Sequence, residues 1–192
     1  MSNVIEQIEL GGFTLQVMYD EYPESPREWS NLGTMVCFHK RYDLGDKHNI
    51  KSDDYDGWDE MEKNITENFD VSVILPLYLY DHSGITISTS PFGCPWDSGR
   101  VGFIYVTKEQ VRNEYGVKRI TKSVKEKVLN VLVGEVDTYD KYIRGEVYGY
   151  RITNKDGEIV DSCFGYFDET DCLLNGQDLL EYYVKESIEV VI

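Results

Sequence analysis

The chain has 192 residues, 41% of them apolar and 13% aromatic, which supports a buried core and excludes a disordered chain. Thirty-five acidic and 19 basic side chains leave a formal charge of -16 and a pI near 4.5. A surface this negative disfavours general nucleic-acid binding and docking on an anionic membrane, and it suits a basic protein partner.

The opening residues, MSNVIEQIEL, are polar and acidic and lack the basic and apolar regions of a secretory signal. Gly11-Gly12 reads as a turn leading into a strand over Phe13 to Tyr19. Pro23 and Pro26 mark a loop, and Gly33 to Phe38 is a second strand. The polar stretch from His39 to Asp59 is a long excursion, of the kind that often carries function. Trp58, Met61, Ile65 and Phe69 recur every three or four residues and predict a helix over 58–69. Val71 to Tyr80 is the most apolar run. It has ten residues and holds Pro76, so it is too short to span a bilayer, which needs roughly 20, and reads as the central strand.

Asp81-His82-Ser83-Gly84 reads as a turn, with the glycine at positive φ, returning into a strand over Ile85 to Ser90. Pro91 to Gly99 is dense in turn formers, and Val101 to Val106 is a strand. Thr107 and Gln110 form a capping box for a helix that stops at Gly116. Thr121 opens a longer helix, periodic from Val124 to Ile143 and ending near Gly145. Val147 to Ile152 and Ile159 to Phe164 form a hairpin through Asp156-Gly157. A helix is expected from Gln177, and Ile188 to Ile192 adds an edge strand. Together these predict one α+β domain over residues 1–192, a mainly antiparallel sheet with helices on one face.

Charge is uneven. Residues 53–70 carry eight acids and one base, and residues 108–127 carry seven bases and three acids. Asp53, Asp54, Asp56, Asp59, Glu60 and Glu62 form either a solvated face or an acidic docking surface for a Lys/Arg-lined groove on a partner.

Three clusters carry candidate chemistry. Cys37, His39 and His48 are zinc-type ligands, but their spacing fits no standard zinc motif, and turn chemistry explains them as well. Asp81 and His82 lie at the end of the central strand. Neighbours in sequence cannot form a catalytic relay, so His82, Asp81 and His39 remain weak acid/base candidates. Trp96, Asp97 and Arg100, with Arg41, are candidate ligand-binding residues around a rigid loop, with Arg100 as an anion anchor. Asp54-x-Asp56-Gly57 has the look of a calcium loop, but Lys63 stands where that loop needs a bidentate Glu. No Cys-x-x-Cys pair occurs among the four cysteines, so free thiols are expected. No cofactor motif is present.

Two stretches resemble a known family. One runs from Pro23 to Tyr42 (PESPREWSNLGTMVCFHKRY); the other is Leu75 to Thr86 (LPLYLYDHSGIT) continued by Cys94 to Gly99 (CPWDSG). They are similar to uncharacterised acidic proteins of bacteriophages and other bacterial mobile elements. The resemblance implies a genomic setting, with no activity and no catalytic residues to carry over. The expected function is a non-enzymatic binder that acts in the host cytoplasm on a host defence or nucleic-acid-handling protein with a basic surface. The alternative is a nucleotide-binding or hydrolytic pocket built from the His39 and His82 segments.

Overall fold

A computed structural model describes residues 3–189. The strands are β1 (Val4–Leu10), β2 (Phe13–Tyr19), β3 (Thr34–Cys37), β4 (Val71–Asp81), β5 (Ile85–Ser88), β6 (Ser98–Thr107), β7 (Tyr148–Thr153) and β8 (Ile159–Tyr166). The helices are α1 (Trp58–Asn68), α2 (Lys108–Tyr115), α3 (Lys122–Ile143) and α4 (Glu169–Glu189). The fold is α+β, and every strand pairing is antiparallel. The strands form two four-stranded sheets where the sequence reading has one.

The chain divides into two compact units. One unit comprises the chain up to Glu24 and from Lys141 onward, and the other is Ser25–Asp140. No shift in composition marks either junction, which is why the sequence shows a single domain.

The first unit holds the sheet β1-β2-β7-β8. Leu15 and Val17 of β2 and Tyr150 and Ile152 of β7 alternate inward and are buried with Cys172 and Leu180 of α4. That contact requires a small residue on the helix, because a Cβ on Gly176 would stand 2.8 Å from Leu15 Cδ1. α4 begins at Glu169, eight residues before the expected start. Asp168 caps it, its Oδ1 accepting from Thr170 N at 2.9 Å and Asp171 N at 3.2 Å. The acidic first turn hid the apolar period. β1 was also missed, since Glu6, Gln7 and Glu9 break the alternation of an edge strand. Of the expected terminal edge strand, Ile188 lies in α4 and residues 190–192 lie outside the described residues.

The second unit holds the sheet β3-β6-β4-β5. Helices cover both of its faces. Phe103 and Tyr105 of β6 pack with Met61 and Ile65 of α1. Ile104, pointing the other way, and Leu132 of α3 both lie close to Gly33. The Thr107–Gln110 capping box is present, and Gly116 ends α2 in the left-handed region at φ 61°. β5 pairs only with Tyr78–Asp81 of β4. Pro76, opposite Phe103 of β6, therefore lies beyond the reach of β5. At the β4–β5 turn Ser83 takes the positive φ, at 59°, and Gly84 does not.

A partly buried ion cluster ties α3 to the start of β3. Arg27, its side chain 5% exposed, bonds Asp46 (Nη2–Oδ2 2.7 Å) and Glu135 (Nη1–Oε2 3.1 Å). Glu135 also accepts from the backbone N–H groups of Leu32 and Gly33, and Asp46 from that of Met35. Burial works against the Arg27 charge, and the bonds to Asp46 and Glu135 outweigh it and hold its pKa above the ordinary value.

Candidate functional site

The site is made by strand ends. Tyr80 of β4 stands opposite Ser98 of β6, Leu79 opposite Gly99, and Tyr78 opposite Arg100. Asp81 N donates to Asp97 O at 2.8 Å, and Phe38 N donates to Val101 O at 2.7 Å. These pairings set the residues after β3, the end of β4 and the start of β6 side by side. Between them lies a cavity of about 330 Å³ lined by Phe38, His39, Asp81, Trp96, Asp97 and Arg100, with Leu79 and Val101 beneath. Residues 58 positions apart in sequence, His39 and Asp97, thus share one concavity. Arg41 is mostly exposed and reaches over to Asp81, with which it forms an ion pair.

His39 is held by its own loop. Its Nδ1 accepts from Arg41 N at 3.3 Å and Tyr42 N at 3.2 Å, and the ring stacks on Tyr42 at 5.0 Å. Nδ1 is therefore unprotonated, and the neutral ring carries its proton on Nε2, which faces Asp81 Oδ2 at 4.0 Å. His82 does not line the cavity. Its side chain is 63% exposed and pairs through Nδ1 with Asp97 Oδ2 at 3.3 Å. The two histidine segments meet at Asp81, which Arg41 pairs with and His39 faces, but the two rings do not share the cavity.

Arg100 is not a free anion anchor. Its Nη2 bonds Glu62 Oε2 at 2.6 Å, its Nη1 lies 4.0 Å from Asp59 Oδ1, and the guanidinium covers the Phe103 ring at 4.3 Å. The cation is neutralised from α1, and the carboxylates Asp81 and Asp97 set the character of the cavity. Glu62 itself is half-buried. Asp53, Asp54, Asp56, Asp59 and Glu60 are exposed, with Glu60 Oε2 accepting from Asp56 N at 2.6 Å at the start of α1. Arg100 thus links the acidic helix to the cavity.

Among the described residues no three His, Cys, Asp or Glu side chains come together as a metal site. Cys37 is buried, and desolvation, with help from Asp46, pushes its thiol up to about 12. His48 Nε2 lies 3.0 Å from the Cys37 carbonyl, and its ring meets Phe38 edge-on. His48 is thus engaged by a backbone carbonyl and an aromatic ring, and Cys37, His39 and His48 are not brought together as a ligand set. All four cysteines are free.

The sequence reading missed Leu79 as part of the cavity and Glu62 as the partner of Arg100. Strand register is the signal that would have found the first; nothing in the sequence pairs residue 62 with residue 100. No helix among the described residues is long and apolar enough to cross a membrane.

No family model, curated protein or solved structure matches this chain.

Proposed function

We propose that the protein is a non-enzymatic binder from a bacteriophage or other mobile element. It engages, and thereby inhibits, a host defence or nucleic-acid-handling protein through that partner's basic surface, in the host cytoplasm. The observation that carries the reading is Trp96. It is 92% exposed at a cavity whose two carboxylates, Asp81 and Asp97, are paired with the largely exposed Arg41 and His82. A lone indole held in water on a structured loop is a typical interface anchor. Asp81 and Asp97 beside it fit a Lys or Arg side chain, which the indole face also attracts. The exposed acids of α1 and the turn before it extend this surface through Arg100 and supply long-range attraction.

A small-ligand or hydrolytic pocket is the second reading, favoured by the convergence of His39, Asp81, Asp97 and Arg100 on one cavity. Two contacts weigh against it. His39 Nδ1 is occupied by backbone donors, and Arg100 is occupied by Glu62.

The immobilised chain at about 50 mM salt should capture a basic protein from bacterial lysate and release it steeply as salt rises towards about 0.5 M. Capture should be lost with Trp96→Ala and weakened with Asp59→Asn plus Glu60→Gln. Capture insensitive to salt and to these substitutions would overturn the reading. Turnover, or thermal stabilisation by a nucleotide, that disappears with His39→Gln would establish the second one instead.

A further inference from the structure

Arg151 stands midway along β7. Its neighbours Tyr150 and Ile152 are buried with α4, so its side chain leaves the sheet on the opposite face. It lies in a row with Gln16 of β2 and Ser162 of β8. Its Nε is buried without a hydrogen-bond partner, and no carboxylate among the described residues pairs with its guanidinium. Arg27, Arg41, Arg100 and Arg144 each have an acid. Asp20 and Glu21 line the same cavity as Arg151, and each is held by another donor: Asp20 Oδ1 accepts from Tyr22 N at 3.0 Å and Glu21 Oε1 from Asn3 Nδ2 at 3.1 Å. A guanidinium donor withdrawn from water and left unbonded costs free energy, and such groups are rare unless something else satisfies them.

The surroundings say what that could be. Arg151 lines a cavity of about 510 Å³ together with Gln16, Met18, Tyr19, Tyr22 and Phe164. That is within the usual size for a small-molecule site. Phe164 pairs with Gly149 across the strands, and its ring occupies the place a side chain at 149 would take: a Cβ there would be 2.0 Å from Phe164 Cδ1. The glycine thus lets an aromatic ring lie over β7 two residues from Arg151. Tyr22 is 90% exposed at the same cavity. Planar rings beside a free guanidinium fork suit a ring-bearing anion.

We infer that this cavity binds a small planar aromatic anion, its ring against Phe164 and its phosphate or carboxylate on Arg151. The net charge of the chain opposes long anionic polymers, so the ligand is a small molecule and not a nucleic-acid strand.

The test is titration of the full chain at low salt with AMP, GMP, CMP and UMP in one arm and benzoate and indole-3-carboxylate in the other, read by calorimetry and thermal shift. At least one probe should bind with Kd below about 1 mM and raise the Tm. The arm that binds tells phosphate from carboxylate. Arg151→Met should weaken binding at least tenfold while leaving the unliganded Tm equal or higher, because it removes an unbonded donor; a residue needed only for structure would lower it. Phe164→Leu should weaken binding severalfold, and Asp81→Asn should leave it unchanged. Should Arg151→Met fold poorly, Arg151→Lys keeps the charge without the fork and should bind at least threefold more weakly. No binding in either arm, or affinity unchanged in the Arg151 variants, overturns the inference.

Discussion

Two regions of the second unit use the same chemistry to opposite ends. Around Arg27, two carboxylates and a guanidinium are drawn into the protein and bonded to backbone N–H groups as well as to each other. Around Asp81 and Asp97, two carboxylates meet partners that are themselves largely in water, Arg41 and His82. The first cluster cannot be separated without leaving partly buried polar groups unbonded. The second can exchange its partners at little cost. Carboxylates bonded to backbone donors therefore fix the shape, and carboxylates paired with exposed side chains remain available to another molecule.

The sharpest way to break this comparison is Glu135→Ala. It leaves the Leu32 and Gly33 N–H groups unbonded and Arg27 with Asp46 as its one carboxylate partner, so it should cost about 2–4 kcal/mol in urea unfolding of the full chain. A loss under about 1 kcal/mol would make the cluster no different from a surface ion pair.

High pH should expose the same buried region. The Cys37 thiol is held at about 12 against an ordinary 9.0, with burial the main cause. In the first unit, burial likewise raises Cys172 to about 11 and Tyr150 to about 12. Between pH 9 and these values the folded chain holds protons that the unfolded chain has released. Stability is therefore fully present below pH 9 and falls as pH rises through this window, by up to a few kcal/mol. Cys37→Ala should flatten part of the decline in urea midpoint measured from pH 8 to 11.

At the exposed region the expectation reverses. Asp81→Asn with Asp97→Asn should change stability by less than about 1 kcal/mol yet weaken capture of the basic partner tenfold or more. The smallest effect belongs to Arg41→Ala. Freed of its internal cation, Asp81 should hold a partner's Lys or Arg about two to three times more tightly, with stability changed by under about 0.5 kcal/mol. Weaker binding in that variant would mean that Arg41 itself contacts the partner.

Much of the fold was legible because local chemistry dictated it. The three-four spacing of Trp58, Met61 and Ile65 gave α1, and Thr107 with Gln110 gave the start of α2. The Asp156-Gly157 turn gave the hairpin of β7 and β8, with Gly157 at φ 81°. What escaped was non-local. β1 has no alternation to read, and the head of α4 is acidic and capped by an aspartate. The division into two sheets depends on which hairpins pair, which no single window of residues encodes. At the site, Trp96, Asp97, Asp81 and His39 were singled out and do meet. The roles of Arg100 and His82 were misread, because the first is decided by Glu62 and the second by a turn that sends the ring into solvent.

Pro76 has a consequence for the chain before it is folded. Residues 71–77 of β4 face only β6, and among the described strands nothing pairs with their other edge. An open edge on the most apolar strand is where two newly made copies would join and precipitate. Proline has no N–H to offer an incoming strand, so it interrupts such a ladder midway. Pro76→Val should fold to the same structure when dilute yet clump during expression, with more chain recovered in the pellet.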